Sequence, residues 1–154
     1  MLRTKSAMIA TCVPIGQTTA KIVLLSRHAS LAHLSEWTQA LAQATGLSAR
    51  CGFRLELVLT ETVSNIIEHA YALGDEGVIT VLVMCEPGLV VVQVEDDGCP
   101  FDPTAAPAHS QPASLEEARI GGLGVHLIRS YTEQWEYRRI DQKNQLRMTI
   151  ACDD

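Results

Sequence analysis

A carboxylate and an amide stand one helical turn apart in the segment from Leu55 to Tyr71. They are Glu61 and Asn65. Residues four apart lie one above the other on a helix, so both side chains would share a face that also carries Leu57 and His69. An amide oxygen can bind Mg²⁺, which takes few protein ligands, and the carboxylate would face the same region. The plainer alternative is a solvated polar face, because polar stripes are ordinary on helices.

Two further segments carry groups suited to a nucleotide. Asp96 ends an apolar, β-branched run and can accept a hydrogen bond from an exocyclic amine, while Gly98 lets a flat base approach the backbone. Gly122 and Gly124 precede an apolar helical segment, where backbone N–H groups can bind phosphate. Each motif alone is more often a simple turn. The order of the segments along the chain, rather than any one of them, favours a bound nucleotide.

The glycines do not match the common nucleotide fingerprints. The G-x-G-x-x-G spacing of dinucleotide-binding units is missing, and so is the Gly-Lys-Ser/Thr ending of a P-loop. The net charge is −6 and there is no run of lysines or arginines, which argues against direct binding to nucleic acid. A nucleotide can still bind, because backbone N–H groups and a metal ion attract phosphate locally.

Two amphipathic helices are predicted before these loops. The first, Leu31–Thr45, repeats apolar residues at three- and four-residue intervals, with Ser30 as its cap and Gly46 as its end. The second begins after Ser48 and runs from about residue 50 to residue 72. Its apolar stripe is expected to pack against a sheet. The stripe consists of Leu55, Leu59, Val63, Ile66 and Ala70.

Apolar or β-branched runs separated by turn residues predict three hairpins. The paired runs are Ser6–Ile15 with Ala20–Leu25, Val78–Cys85 with Leu89–Glu95, and Gln134–Arg139 with Gln145–Ala151. Residues 1–20 are expected to add an extra edge strand. A long loop at residues 99–120, of a length that is usually functional or mobile, leads to a short helix over Val125–Tyr131. Together these elements predict one α/β domain over residues 1–154.

Cysteine usage and hydropathy predict a cytoplasmic protein without a membrane segment. The five cysteines are odd in number and lack CxxC spacing, so they are interpreted as reduced thiols. The apolar run near the N-terminus is too short for a signal core. No stretch approaches the ~20 apolar residues that cross a bilayer. The cysteines are Cys12, Cys51, Cys85, Cys99 and Cys152.

Three motifs together resemble the anti-sigma regulatory factor or serine-protein kinase family, within the superfamily of gyrase and histidine-kinase ATP domains. They are ETVSNIIEHAY at residues 61–71, VEDDGCPFDP at 94–103 and GGLGVHLIRSY at 121–131, and the ending RRIDQKNQLRMTI at 138–150 extends the likeness. The resemblance implies the histidine-kinase-like ATPase fold. This is a two-layer α/β sandwich of helices on a mixed, mostly antiparallel sheet, with residues 99–120 as a lid over ATP.

The resemblance also implies a role for each site residue. Glu61 is expected to be the general base, and Asn65 the Mg²⁺ ligand that also contacts the nucleotide. Asp96 is expected to read the adenine, with Gly98 beside the base. The expected contacts on the phosphate side come from Gly122, Leu123 and Gly124.

Members of this family phosphorylate a serine or threonine on a small antagonist protein, and many also bind a sigma factor. The resemblance therefore implies an ATP- and Mg²⁺-dependent protein serine/threonine kinase that acts on an anti-anti-sigma protein and regulates a sigma factor by partner switching. A homodimer is among the expected assemblies. The alternative is a switch that uses ATP to shape its lid and sequester a partner without chemistry, and the sequence leaves both open. A sensory histidine kinase fits less well, because no phosphoacceptor-histidine helix precedes the ATP motifs.

Overall fold

One layer of helices covers one face of an antiparallel sheet. The computed structural model describes residues 16–105 and 123–152. The helices described are α1 (Ser30–Thr45), α2 (Ala49–His69) and α3 (Leu123–Tyr131), with a 3-10 turn at Pro103–Ala105. The strands described are β1 (Thr18–Leu25), β2 (Val78–Glu86), β3 (Leu89–Asp96), β4 (Gln134–Ile140) and β5 (Lys143–Ala151). This architecture confirms the predicted fold class.

The sheet brings distant segments of the chain side by side. Its strand order is β1-β2-β3-β5-β4, and each pairing is antiparallel. The last hairpin therefore inserts β5 beside β3. In that ladder Asp96, at the end of β3, lies opposite Asn144, near the start of β5. The point where the chain leaves β3 is thus next to the point where it enters β5.

Helix α2 lies between the other two helices in the layer that covers the sheet. It contacts α1 on one side and α3 on the other, and it packs on β3 and β5. The predicted apolar stripe is buried as expected, with Leu55, Leu59 and Val63 fully inaccessible. Each such side chain contributes about 1.5–3 kcal/mol through burial. Truncating Leu59 to alanine would cost about 2–5 kcal/mol, because it would leave a cavity at the centre of the core.

Two of the three predicted helix-end signals are confirmed. Gly46 ends α1 in the left-handed conformation at φ 68°, and the side chain of Ser48 accepts a 3.1 Å hydrogen bond from the backbone N–H of Cys51. The prediction that Ser30 caps α1 is wrong. Its buried hydroxyl instead donates a 2.7 Å hydrogen bond to the Leu25 carbonyl at the end of β1. A buried hydroxyl must find a partner, and this carbonyl supplies it.

The cysteines depart from the prediction. Cys51, in the first turn of α2, and Cys152, just after β5, form a disulfide with their Cα atoms 5.2 Å apart. The interpretation of all the cysteines as reduced thiols is therefore wrong for this pair. The two residues are 101 positions apart, so only the packing of α2 on the sheet reveals their proximity. Cys85 and Cys99 are free thiols, while Cys12 lies outside the described residues.

Some predictions fall on parts of the chain that the structure does not describe. The run Ala20–Leu25 is confirmed as part of β1, which pairs with β2. Its expected hairpin partner, Ser6–Ile15, lies outside the described residues, as does most of the loop at 99–120. Among the helices of residues 16–105 and 123–152, none is long and apolar enough to cross a membrane.

Candidate functional site

The amide of Asn65 is the least satisfied polar group of the described core. The side chain is only 5% exposed, and its Nδ2 atom has no hydrogen-bond partner among residues 16–105 and 123–152. Leaving a buried polar group unpaired costs about 1–3 kcal/mol. Such groups need an explanation, and a bound ligand or ion is one. The amide is therefore placed as a binding group would be.

Glu61 lies one turn before Asn65 and is partly exposed. Burial raises the pKa of its carboxyl above the ordinary value of 4.5, and the nearby charge of Glu68 raises it further. A carboxylate with a raised pKa holds a proton more firmly than a fully solvated one, which suits a group that accepts a proton during a reaction. The polar stripe predicted on α2 is thus a partly buried ladder.

The first turn of α3 contacts these polar side chains of α2 at Gly124. A β-carbon placed on Gly124 would lie 2.7 Å from Oε2 of Glu61 and 3.4 Å from Oδ1 of Asn65. The first of these separations is too short for real atoms, so a side chain at this position would displace the end of the Glu61 side chain. The positive end of the α3 dipole therefore faces a carboxylate and a buried amide, which is an arrangement suited to phosphate and a cation. Of the other expected phosphate-side residues, Gly122 lies outside the described part, and Leu123 begins α3.

Asp96 is held by its own loop at the end of β3. It is 3% exposed, and its Oδ1 accepts 2.9 Å hydrogen bonds from the backbone N–H of Gly98 and from Nδ2 of Asn144. Burial raises the pKa of this carboxyl, although both hydrogen bonds act in the opposite direction. No described residue donates to Oδ2, the second oxygen. The carboxylate is thus fixed through one oxygen while the other has acceptor capacity left.

Gly98 has a structural task in addition to the one predicted. A β-carbon there would lie 2.5 Å from the carbonyl oxygen and 2.7 Å from the β-carbon of Ala70. The next residue, Cys99, donates its N–H to the same carbonyl at 2.7 Å. Glycine is therefore required for the loop to cross the end of α2. Its predicted place beside a base stays a prediction.

Asp97 ties this loop to the end of α2 by a second route. Its Oδ1 accepts hydrogen bonds from the Tyr71 hydroxyl at 2.5 Å and from the Val78 N–H at 3.0 Å. The Tyr71 hydrogen bond is the main reason that the pKa of Asp97 is lowered. Gly77 packs so closely on Tyr71 and Asp97 that a β-carbon would collide with both. The two adjacent aspartates thus have different roles. Asp97 anchors the loop, and Asp96 faces a pocket.

That pocket connects Asn65 with Asp96. It is narrow and mostly apolar, and Phe101 and Pro103, from the segment after Gly98, form part of its wall. The Phe101 ring also stacks on His69, with ring centroids 5.2 Å apart. The structure therefore brings together side chains from four separate segments of the sequence. The lining residues are Thr62, Asn65, Ile66, Val94, Asp96, Phe101, Pro103, Ile128, Tyr137, Asn144 and Leu146.

Sequence reasoning missed the contribution of the last hairpin. Asn144 and Tyr137 line the pocket, and Arg139 donates to the Gly98 carbonyl at 2.8 Å. One signal was available. The inward positions of β5 alternate along the strand, and Asn144 is the single polar member of a series that continues with Leu146, Met148 and Ile150. A polar residue at an inward strand position is a candidate for a site.

The chain belongs to the family of histidine kinase-like ATPase domains, whose model matches residues 24–150. A curated relative, the serine/threonine-protein kinase BtrW of Bordetella bronchiseptica, is 32% identical over 113 residues, which cover 73% of this chain and 80% of the relative. The serine-protein kinase RsbW of Listeria monocytogenes is 32% identical over 94 residues, covering 54% of this chain and 60% of the relative. Both relatives are named as kinases, which agrees with the match to a kinase-like ATPase domain.

Solved structures share the fold at low sequence identity. The RsbU and RsbW domains of a Mycobacterium tuberculosis protein match with a TM-score of 0.59 and 13% identity, over 86% of this chain and 31% of that chain. A blue-light activated histidine kinase of Erythrobacter litoralis matches with a TM-score of 0.55 and 16% identity, over 80% of this chain and 41% of that chain. These likenesses concern the fold alone.

The residues present fit a magnesium nucleotide. Mg²⁺ takes one or two protein ligands and completes its shell with water and phosphate oxygens. Oδ1 of Asn65, beside the start of α3, is an oxygen of the kind that Mg²⁺ takes, and the unpaired Nδ2 of the same buried amide is a donor suited to a phosphate oxygen. At the other end of the pocket, the acceptor-only carboxylate of Asp96 matches the amino group of adenine.

Proposed function

We propose that this chain is an ATP- and Mg²⁺-dependent protein serine/threonine kinase. Its substrate is a small anti-anti-sigma protein, and phosphorylation of that protein regulates a sigma factor by partner switching. One observation carries the proposal. Glu61 and Asn65 on α2 lie against Gly124 at the start of α3, and a pocket runs from Asn65 to Asp96. The named kinases among the relatives support the same reading.

The chain's residues divide the reaction among them. Asp96 would accept a hydrogen bond from the adenine amino group, and the amide oxygen of Asn65 would hold Mg²⁺. Bound Mg²⁺–ATP would supply the γ-phosphoryl group and the means to offset its charge, and ADP would leave as the bond between the γ-phosphorus and the β-phosphate oxygen breaks. Glu61 accepts the proton of the incoming serine or threonine hydroxyl, and its raised pKa suits this task. Backbone N–H groups at the start of α3 stabilise the phosphate charge.

The test separates binding from chemistry. Calorimetry with Mg²⁺–ATP measures association with the purified chain. Mass spectrometry then identifies the small proteins that co-purify with the chain, and each is incubated with it and radiolabelled ATP. A labelled serine or threonine on a co-purifying protein is the expected result.

The unlabelled outcomes are equally informative. A nucleotide-dependent complex without any phosphorylated product would replace the kinase by an ATP-dependent sequestering switch. An absence of heat on addition of Mg²⁺–ATP to correctly folded protein would overturn both. Glu61→Gln is the control for chemistry, because it keeps the size of the side chain and removes its ability to accept a proton.

A further inference from the structure

Asn144 connects Asp96 to the loop that follows it. The residue is 4% exposed and lies directly opposite Asp96 in the β3–β5 ladder. Its Nδ2 donates to Oδ1 of Asp96 at 2.9 Å and to the Cys99 carbonyl at 2.7 Å. Both partners are acceptors only, so the donor end of the amide must face them. The orientation of the Asn144 side chain is therefore set by its surroundings.

The oxygen end of the same amide is equally well occupied. Oδ1 of Asn144 accepts from the Tyr137 hydroxyl at 2.5 Å, from Nη1 of Arg139 at 3.0 Å and from the Phe101 N–H at 3.3 Å. Arg139 also donates to the Gly98 carbonyl at 2.8 Å. The β4–β5 hairpin thus holds the loop at several points, and they converge on one buried side chain.

This network decides which oxygen of Asp96 a ligand can use. Oδ1 already accepts from both Gly98 and Asn144. The carboxylate cannot rotate about its final bond without losing one of these hydrogen bonds. Oδ2 receives no hydrogen bond from the described residues, and Asp96 lines the pocket. A fixed carboxylate oxygen accepts a hydrogen bond from an amino group and repels a carbonyl oxygen.

We propose that Asn144 is a positioning and specificity-determining residue, which holds Asp96 so that the site takes a 6-aminopurine and rejects a 6-oxopurine. This inference rests on the proposed ATP-binding function and adds a residue to it. Without Asn144 the carboxylate gains rotational freedom, so binding of ATP weakens more than binding of an analogue that never used the hydrogen bond. If Asn144 merely supported the loop, its loss would weaken the binding of both nucleotides equally.

Inosine triphosphate is the matched probe, since it shares the ribose and triphosphate of ATP and carries an oxygen in place of the amino group. Calorimetry should show that the unaltered chain prefers ATP by about tenfold or more, because a site built to hydrogen-bond one group rejects its replacement. Asn144→Ala should narrow that ratio by about tenfold, mostly through loss of ATP affinity. Gln145→Ala is the control. It removes an amide one position along β5 whose side chain bonds Glu95, on the opposite face of the sheet.

Asn144→Leu is the second variant, in case the alanine substitution weakens the fold. Leucine has nearly the size and shape of asparagine and lacks the two N–H donors, and it places no second carboxylate beside Asp96. The same narrowing of the ratio is expected. Circular dichroism and thermal unfolding verify that each variant is folded.

Two results would overturn the inference. One is an equal loss of ATP and inosine triphosphate affinity in a folded variant, and the other is an absence of any preference in the unaltered chain. A failure of the unaltered chain to bind ATP at all would instead refute the proposed function, so the two failures are distinguishable.

Discussion

Gly124 lies against Glu61 so closely that a β-carbon on the glycine would be 2.7 Å from the carboxylate Oε2. The approach joins the start of α3 to the polar ladder of α2. It places the positive end of a helix beside the proposed general base. A methyl group at this position would therefore displace the Glu61 carboxylate from the start of α3.

Replacing Gly124 by alanine should separate the two helices locally. Either the Glu61 side chain or the start of α3 must move, because a contact of this length is not tolerated. We expect Mg²⁺–ATP affinity to fall by about tenfold or more, as measured by calorimetry, while the core stays folded. Gly52→Ala is a suitable control, since its β-carbon would meet only Ala42 on α1, at 3.3 Å. Unchanged ATP affinity in folded Gly124→Ala would argue against this phosphate site.

Glu61→Gln should remove catalysis and spare binding. The amide cannot accept the hydroxyl proton, so the rate of phosphoryl transfer should fall by about 10²–10⁴-fold. The Mg²⁺ ligand and the adenine contact stay in place, so the dissociation constant for ATP should change little. Single-turnover labelling and calorimetry on the same preparation measure the two quantities. Full kinase activity in this variant would exclude Glu61 as the general base.

The rate of phosphorylation should rise with pH as Glu61 loses its proton. A general base works only when deprotonated, and burial followed by Glu68 raises its pKa above the ordinary value of 4.5. Acidification should therefore slow the proposed phosphorylation at a higher pH than an ordinary glutamate would require. Glu68→Gln removes a like charge and should move this acid limb to lower pH. Rates at saturating ATP test the shift, and an identical limb in both proteins would contradict it.

Asp96→Asn should raise the stability of the fold and abolish ATP binding. The pKa of Asp96 in the folded chain lies above its ordinary value of 3.8, so ionisation costs stability as the pH rises through that folded-state pKa. The amide is neutral and can still accept from Gly98 and Asn144. At neutral pH the variant should be more stable by about 0.5–2 kcal/mol, and the gain should shrink in acid. ATP binding should be lost.

Denaturant unfolding at neutral and acid pH measures the stability difference. Glu95→Gln is the comparison, because Glu95 lies on the outer face of the sheet and pairs with Lys143 at 3.2 Å. An exposed pair of this kind contributes little. Equal ATP affinity in Asp96→Asn and the unaltered chain would show that another group reads the base.

Reducing the disulfide between Cys51 and Cys152 should lower global stability without altering the site. A cross-link that closes a loop of about 100 residues stabilises by about 2–5 kcal/mol, mainly by restricting the unfolded chain. Glu61 lies about 15 Å further along α2, and Asn144 lies at the far end of β5. Unfolding with and without a dithiol reductant measures the loss. Cys51→Ser should reproduce it, whereas Cys85→Ser, which removes a free thiol, provides the control for cysteine substitution.

Most of the helices and strands could be predicted from local sequence patterns. The 3.6-residue period of α2 and the alternation of the strands are written in consecutive residues, so Leu55, Leu59 and Val63 could be assigned to the core in advance. Turn chemistry located Gly46 and Ser48 for the same reason. The prediction that Ser30 caps α1 failed because its hydroxyl donates to a carbonyl at the end of β1. A propensity rule contains no information about such a neighbouring strand.

In the site, too, residue types could be predicted and long-range contacts could not. Glu61, Asn65 and Asp96 could be chosen by residue type and by resemblance, but not the geometry that relates them. The role of Asn144 depends on strand register, which places it opposite Asp96 although the two are far apart in the chain. The Cys51–Cys152 bond depends on α2 packing against the sheet. Gly98 was selected for a base, and its contact with Ala70 appears only once the end of α2 is placed.

The covalent link between Cys51 and Cys152 also closes the polypeptide into a ring that contains Glu61, Asn65, Asp96 and Gly124. A protease that cuts once anywhere inside this ring leaves two fragments still joined by sulfur. Such a nicked molecule would migrate as one band on a gel without reductant and as two bands with it. Limited digestion can therefore report whether bound nucleotide protects the backbone, while the severed halves stay together long enough to be assayed.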